Sequence, residues 1–350
     1  MTASQDDEQQ RKADSFFTED RSLAAPFLKQ LVSMRVIDLL PRGYSANALT
    51  LSGGACALAV AVSLWIAPQE IRQETPLGQV LLIVSSVLIL AYAVFDQLDG
   101  MQARKLGTSG PFGDFLDHWV DTTLANLIPV PAMILLGVPH PLILLMALWT
   151  ALAFWAANWE VREVNKRILP YVGGLESILI AITLWLGTVI LGPGVWQHEI
   201  GGIKLLTGIY WLCLIPLVLV VIHACRTSGT GKLGELAAFL ATLAPLSAWI
   251  LWRLTEASPP IIYNLAFISL GITATLMTGD LMRQHWMGTT YRPLNIGLMV
   301  PGLAMLGAAL AAGDTGISMI ETAFVTLTAI TYIGLLTWQG VNTWRSLTQT

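Results

Sequence analysis

Asp96 and Asp99, and then Asp117 and Asp121, stand three and four residues apart at the edges of two long apolar runs, with Gly100, Ala103, Arg104 and Gly113 between them. Residues at these spacings share one face of a helix, so each pair presents two carboxylates together. If the two helices are antiparallel neighbours joined by the short Lys105–Phe112 loop, four carboxylates converge on one pocket. Four uncompensated anions at that depth are too costly to keep ionised. Hard divalent cations resolve the conflict, and an oxygen-rich site of this kind suits Mg2+ or Mn2+. Gly100 and Gly113 remove side chains where a backbone must approach a ligand or another helix, and Ala103 keeps that face low. Arg104 adds a forked cation. Metals, small residues and one Arg are what a pyrophosphate needs, so the chemistry implied is phosphoryl transfer. The competing readings are an ion-paired helix bundle or a proton or ion path, but nearby Lys and Arg are too few to pair four acids. An EF-hand is excluded, because its acids alternate within a loop closed by Glu and these lie on apolar spans.

The elements that hold these residues are membrane helices. Of 350 residues, 54% are apolar and only 12% charged, the composition of a multi-pass membrane protein. Apolar segments of roughly 17–25 residues, long enough to cross ~30 Å of hydrocarbon, recur about ten times. They run from Ala46–Ile66 and Leu77–Phe95 through Gly113–Leu136 to Leu294–Ala311 and Ile317–Trp338. The fold class expected is all-α, a polytopic bundle of about ten transmembrane helices with an N-terminal interfacial amphipathic helix. No cleavable signal peptide is expected, since the first apolar run starts only at Ala46 behind a mixed-charge stretch. Cys56, Cys213 and Cys225 show neither metal-ligand nor disulfide spacing. With the N-terminus inside, 16 of the 19 Lys and Arg residues fall on the inner side, and only Arg72, Lys204 and Arg253 on the outer. The positive-inside rule therefore predicts N-in, C-in topology with the aspartates facing the cytosol, as in a bacterial inner membrane or an endoplasmic reticulum.

Along the chain, residues 1–25 read as a disordered cytosolic tail, being polar, charged and without periodicity. Residues 26–44 hold the interfacial helix: Phe27, Leu28, Leu31, Val32, Met34 and Ile37 alternate with Lys29, Gln30, Ser33, Arg35 and Asp38 until Pro41 breaks the pattern. Residues 45–200 carry the aspartates. Residues 201–340 are plain apolar spans suited to scaffold, lipid contact or a homodimer interface, and 341–350 form a cytosolic C-terminal tail. Nothing points to nucleic acid.

The eight-position string Asp96, Asp99, Gly100, Ala103, Arg104, Gly113, Asp117 and Asp121 resembles the signature of the CDP-alcohol phosphotransferase family. Gln102 before Ala103-Arg104, and the Asp117-His118 pair, resemble its choline/ethanolaminephosphotransferase branch. Ser45–Leu51, with Asn47 and Thr50, resembles that branch's entry to the first span, and Phe154–Glu160 with Glu176 resembles its later Trp-Glu and Glu-Gly elements. The resemblance covers about Ser45–Ala181; beyond it, length, span count and His285 agree. It implies that the hydroxyl of diacylglycerol attacks the β-phosphorus of CDP-choline or CDP-ethanolamine and releases CMP. It implies further that Asp96, Asp99, Asp117 and Asp121 hold two divalent cations, and that Gly100, Ala103, Arg104 and Gly113 shape the nucleotide pocket with Asn47 and Thr50 at its rim. The branch's candidate for general base is His118, with Glu176 as helper. His118 could equally orient a phosphate or serve packing, and Asp121 could act as base. The chain departs from the branch at Trp119 and Val120, where the branch has Gly and a small residue. Trp119 either contacts a quaternary ammonium or packs against a neighbouring helix.

Two alternatives define the tests. A family member using a CDP-diacylglycerol donor with a small polar acceptor would be shorter, with more basic residues near the site. A transporter or non-catalytic scaffold would not need all eight signature positions.

Overall fold

The structure, a computed structural model, describes residues 17–30, 34–66, 71, 74–169, 173–229, 233–254, 258–313 and 317–348. The described chain is a set of helices: α1 (Ala46–Ile66), α2 (Pro76–Leu106), α3 (Pro111–Leu127), α4 (Pro129–Leu135), α5 (His140–Val164), α6 (Gly174–Leu191), α7 (Leu205–Ser228), α8 (Leu233–Arg253), α9 (Pro260–Met287), α10 (Ile296–Ala312) and α11 (Met319–Thr348). Among the described residues, eight of these are long and apolar enough to cross a membrane, and α10 is a shorter apolar helix. Outward-facing Leu51, Leu58 and Val62 on α1 and Val80, Val84 and Val87 on α2 are exposed, as lipid-facing positions should be. The three cysteines are free.

The span expected over Gly113–Leu136 is broken into α3 and α4. Pro129 and Pro131 have no N–H to give, so the helical ladder fails there. The carbonyl of Leu127, which would have paired with residue 131, accepts instead from the Trp65 indole at 3.2 Å. Of the interfacial helix expected over residues 26–44, Ala25–Leu28 and Met34–Val36 are helical and residues 37–40 are turn and bend, while residues 31–33 lie outside the described residues. The disordered tail drawn to residue 25 is too long: residues 1–16 lie outside the described residues, but Phe17–Asp20 is a strand. Ser22 and Ala24 are tied down by the Glu176 carboxylate.

The chain forms two compact units, one from Thr18–Val138 and Ile168–Leu219, the other from Pro139–Arg167 and Val220 onward. A boundary at residue 200 does not coincide with this division, because α5 packs against α8 and α9.

In the first unit α1 packs against both α2 and α3. A Cβ on Gly53 would lie 3.0 Å from Phe95 Cβ, and one on Gly54 would lie 3.0 Å from Val120 Cγ1, so the adjacent glycines let α1 approach both partners at once. Below this contact Ala57, Val60, Leu64, Leu82, Ile89, Leu116 and Leu124 form the core. Thr75 caps α2 by accepting from Gly78 N at 3.1 Å, and Gly107 ends it in the left-handed region at φ 66°, where a side chain would be strained. Pro111 starts α3 four residues after Gly107, where the chain begins to turn, and α3 is joined to α2 through Tyr92 and Asp121 while α1 packs against both.

In the second unit Trp155 stacks on Trp159 and Phe239 with centroids 5.4 and 4.8 Å apart. Gly302 lets α10 touch the backbone of α8 at Leu246. At one end His140 joins Tyr263 OH at 2.7 Å and Ile250 O at 3.2 Å. At the other, Arg162 pairs with Glu163 and Glu235 and lies over the Tyr291 ring. Burial pushes the Tyr291 phenol above its ordinary range, so it remains a neutral partner for Arg162 and for the Trp155 indole at 3.0 Å.

Candidate active site

The site is assembled where the last three turns of α2 meet the first three turns of α3, all within the first unit. Tyr92 on α2 bonds to Asp121 on α3, and Asp96, Asp99, Asp117 and Asp121 lie near enough to act on one another electrostatically. The local reason is the spacing. Asp96 and Asp99 share one face of α2, Asp117 and Asp121 share one face of α3, and the tight turn at Gly107 folds those faces together.

Two of the four aspartates are held by hydroxyls. Thr50 Oγ1 on α1 donates to Asp99 Oδ2 at 2.6 Å, and both residues are buried. The Tyr92 phenol donates to Asp121 Oδ1 across the α2–α3 contact. Tyr92 lies one turn before Asp96 on the same face, and its ring rests against the bare face of Gly53. Each bond fixes the orientation of one carboxylate.

His118 lies among carboxylates of its own helix. Nδ1 is 3.3 Å from Asp117 Oδ2 and 3.6 Å from Asp121 Oδ2, and Nε2 is 3.5 Å from Asp114 Oδ1. These separations exceed a good hydrogen bond, so the ring is surrounded rather than locked. Arg104 folds back over Gly100: a Cβ there would sit 3.4 Å from Nη1. Gly113 faces Asn47, whose Oδ1 lies 3.7 Å from the position of a Cβ. Ala103 is half-buried on the turn between them. Trp119 stacks on Phe115, centroids 6.2 Å apart, and packs against the unit's core.

The structure therefore brings together Asp96, Asp99, Asp117, Asp121, His118 and Thr50, and separately pairs Gly100 with Arg104 and Gly113 with Asn47. It places Glu176 in a different role. Glu176 Oε1 accepts from Ser22 Oγ at 2.6 Å and Ala24 N at 2.9 Å, while Oε2 accepts from Gly173 N at 2.8 Å, capping α6. None of its hydrogen bonds goes to the aspartates, and a carboxylate so engaged has little capacity left to take a proton. Tyr92, Asp114 and Gln102 were not singled out for chemistry from sequence. Tyr92 at i−4 and Asp114 at i−3 from signature aspartates share their helical faces, which is the signal that could have found them.

The donor set fits a hard divalent cation. A carboxylate oxygen of Asp117, one of Asp121 and a ring nitrogen of the intervening His118 all lie within 4.8 Å of one another, so the two acids can share an ion with His118 at its edge. Ligands of one Mg2+ at ~2.1 Å lie at most ~4.2 Å apart, close to this spacing. The remaining acids are oxygen donors too, as such an ion prefers.

Residues 44–278 match the sequence profile of the CDP-alcohol phosphatidyltransferase family. The chain is 20% identical to cholinephosphotransferase 1 of Saccharomyces cerevisiae over 245 residues, 62% of each chain. It thus covers less than two thirds of that relative's length. Over 321 residues, 83% of this chain and 80% of the other, it is 23% identical to choline/ethanolaminephosphotransferase 1 of the same yeast. It is also 25% identical to a CDP-diacylglycerol–serine O-phosphatidyltransferase of Encephalitozoon cuniculi over 185 residues, 52% of this chain and 47% of that one.

Proposed function

The chain belongs to the CDP-alcohol phosphatidyltransferase family, and from that premise we propose that it transfers phosphocholine or phosphoethanolamine from a CDP-alcohol to diacylglycerol. The observation that carries the reading is the bond from Tyr92 on α2 to Asp121 on α3, which ties the helix bearing Asp96 and Asp99 to the one bearing Asp117 and Asp121, with His118 beside them. An acid cluster without enough cationic side chains to neutralise it is built for hard divalent ions and, through them, for pyrophosphate.

Asp96, Asp99, Asp117 and Asp121 would hold Mg2+ or Mn2+. When bound, the ions neutralise pyrophosphate oxygens and the charge that develops on the departing CMP. Thr50 and Tyr92 keep Asp99 and Asp121 oriented between turnovers. Arg104, lying on Gly100, offers bidentate donors to a phosphate. The diacylglycerol hydroxyl oxygen forms its bond to the β-phosphorus as the bond from that phosphorus to the CMP oxygen breaks. His118 takes the hydroxyl proton, with its Nδ1 3.3 Å from Asp117 Oδ2 and 3.6 Å from Asp121 Oδ2. The face carrying these residues is the cytosolic one in the N-in orientation that the Lys and Arg distribution supports.

The test is purified protein in liposomes with Mn2+ and labelled CDP-choline, CDP-ethanolamine or CDP-diacylglycerol against a panel of acceptors. CMP release that requires diacylglycerol is expected. Release from CDP-diacylglycerol alone, with serine or another small polar acceptor, would replace this reading with the phosphatidyltransferase one.

A further inference from the structure

Gln102 sits inside the signature stretch but is none of its ligands, and it is completely buried. Its Nε2 donates to two main-chain carbonyls, Tyr44 O at 2.8 Å and Pro41 O at 3.3 Å. Its Oε1 has no hydrogen-bond partner among the described residues, so the whole polar content of this buried amide is donation into one turn. That turn, Pro41–Tyr44, is the last piece of chain before α1 begins at Ala46.

The contact is one rung of a ladder. Along α2, Asp99, Gln102 and Lys105 follow at three-residue intervals on one face. Asp99 receives Thr50 at 2.6 Å, Gln102 holds Tyr44 and Pro41, and Lys105 Nζ donates to Ile37 O at 2.7 Å. The chain from Ile37 to Thr50 thus descends α2 rung by rung, with Ile37, Leu49 and Leu98 closing an apolar cluster beside it. The middle rung is made by a rigid amide bonding to backbone, so it fixes where α1 starts whatever side chains the turn carries. The first rung depends on that start, since Thr50 is only one turn into α1.

We propose that Gln102 is a positioning residue, clamping the Pro41–Tyr44 turn so that α1 enters in the register that sets Thr50 on Asp99. It rests on the reading of Asp99 as a cation ligand, and it makes the segment before α1 part of the site's geometry. A substitution that keeps volume but loses the donors should loosen the turn first and Asp99 second.

The test uses Gln102→Glu, which preserves size and places a carboxylate against two carbonyls, with Gln102→Met as the apolar counterpart should the first variant not fold. Amide exchange of the purified, substrate-free protein in detergent should rise over residues 37–50 and stay unchanged in α3 and α6. Half-saturation with Mn2+, read by electron paramagnetic resonance, should rise about tenfold, the range seen when a ligand loses its orienting partner. Combining Gln102→Glu with Thr50→Val should add less than about twofold, because both act through the same bond. Unchanged exchange over 37–50, a rise spread over the whole unit, or multiplying effects in the double variant would each overturn the proposal. None of these readouts uses CMP release, so failure of the transferase reading would show separately in the donor panel.

Discussion

At the residue scale, the site consists of ligands and the groups that aim them. Asp99 and Asp121 each have one oxygen pinned by a hydroxyl, Thr50 and Tyr92 respectively. Thr50→Val and Tyr92→Phe remove those hydroxyls while keeping shape. Each should weaken Mn2+ affinity by about 10–100-fold and leave the folded population intact. A titration of activity against Mn2+ checks this, and curves that overlay the wild type would show that the hydroxyls orient nothing. The aspartates themselves were legible because their spacing is local: three or four residues on a helix is a statement about one face. Thr50 and Tyr92 were not legible in these roles, because both bonds join residues distant in sequence, and no periodicity reports which helix lies alongside. The partners of Glu176 are illegible in sequence for the same reason. The resemblance located the residue, but the partners that occupy it, Ser22 and Ala24, come from the far N-terminus. Trp119 stacks on Phe115, one turn back on its own helix, and packs against the core of the unit.

At the element scale, the position of α1 governs the site. Gly53 and Gly54 let it rest on α2 and α3 together, one turn from Thr50. Gly54→Val would drive methyl groups into Val120, an overpacking that costs about 1–3 kcal/mol. It should lower the unfolding temperature in detergent and raise the Mn2+ requirement together, since α1 must move away from Asp99. A variant as stable as wild type with normal Mn2+ dependence would mean that the close approach is unnecessary. Apolar counting recovered nearly every helix but merged α3 with α4, because hydropathy does not register the donors missing at Pro129 and Pro131. It also carried the interfacial helix of residues 26–44 past Val36, where residues 37–40 are turn and bend. The alternation of apolar and charged residues there is real, but Ile37 turns into the α2 contact and its carbonyl goes to Lys105.

At the scale of the whole molecule, the aspartates, their orienting hydroxyls and the Gln102 ladder all belong to one compact unit, while the second unit is organised around Trp155, Trp159 and the Arg162 ion pairs. The charge distribution predicts that both described ends of the chain and the α2–α3 turn share the cytosolic side. In a cysteine-free background, Thr108→Cys and Arg345→Cys should resist a membrane-impermeant thiol reagent in intact cells while His198→Cys reacts. Labelling of Thr108→Cys from outside would invert the topology. The central claim is that these aspartates serve cation-assisted transfer from a CDP-alcohol. Its most direct measurement is CMP formation by metal-stripped protein in diacylglycerol liposomes, titrated with Mn2+, for the wild type and Asp117→Ala. The wild type should be inactive in chelator and recover on titration, whereas Asp117→Ala should stay roughly 10³-fold lower at every concentration, the scale of several kcal/mol of lost charge stabilisation. Full turnover in chelator, or a variant matching the wild type, would contradict the account.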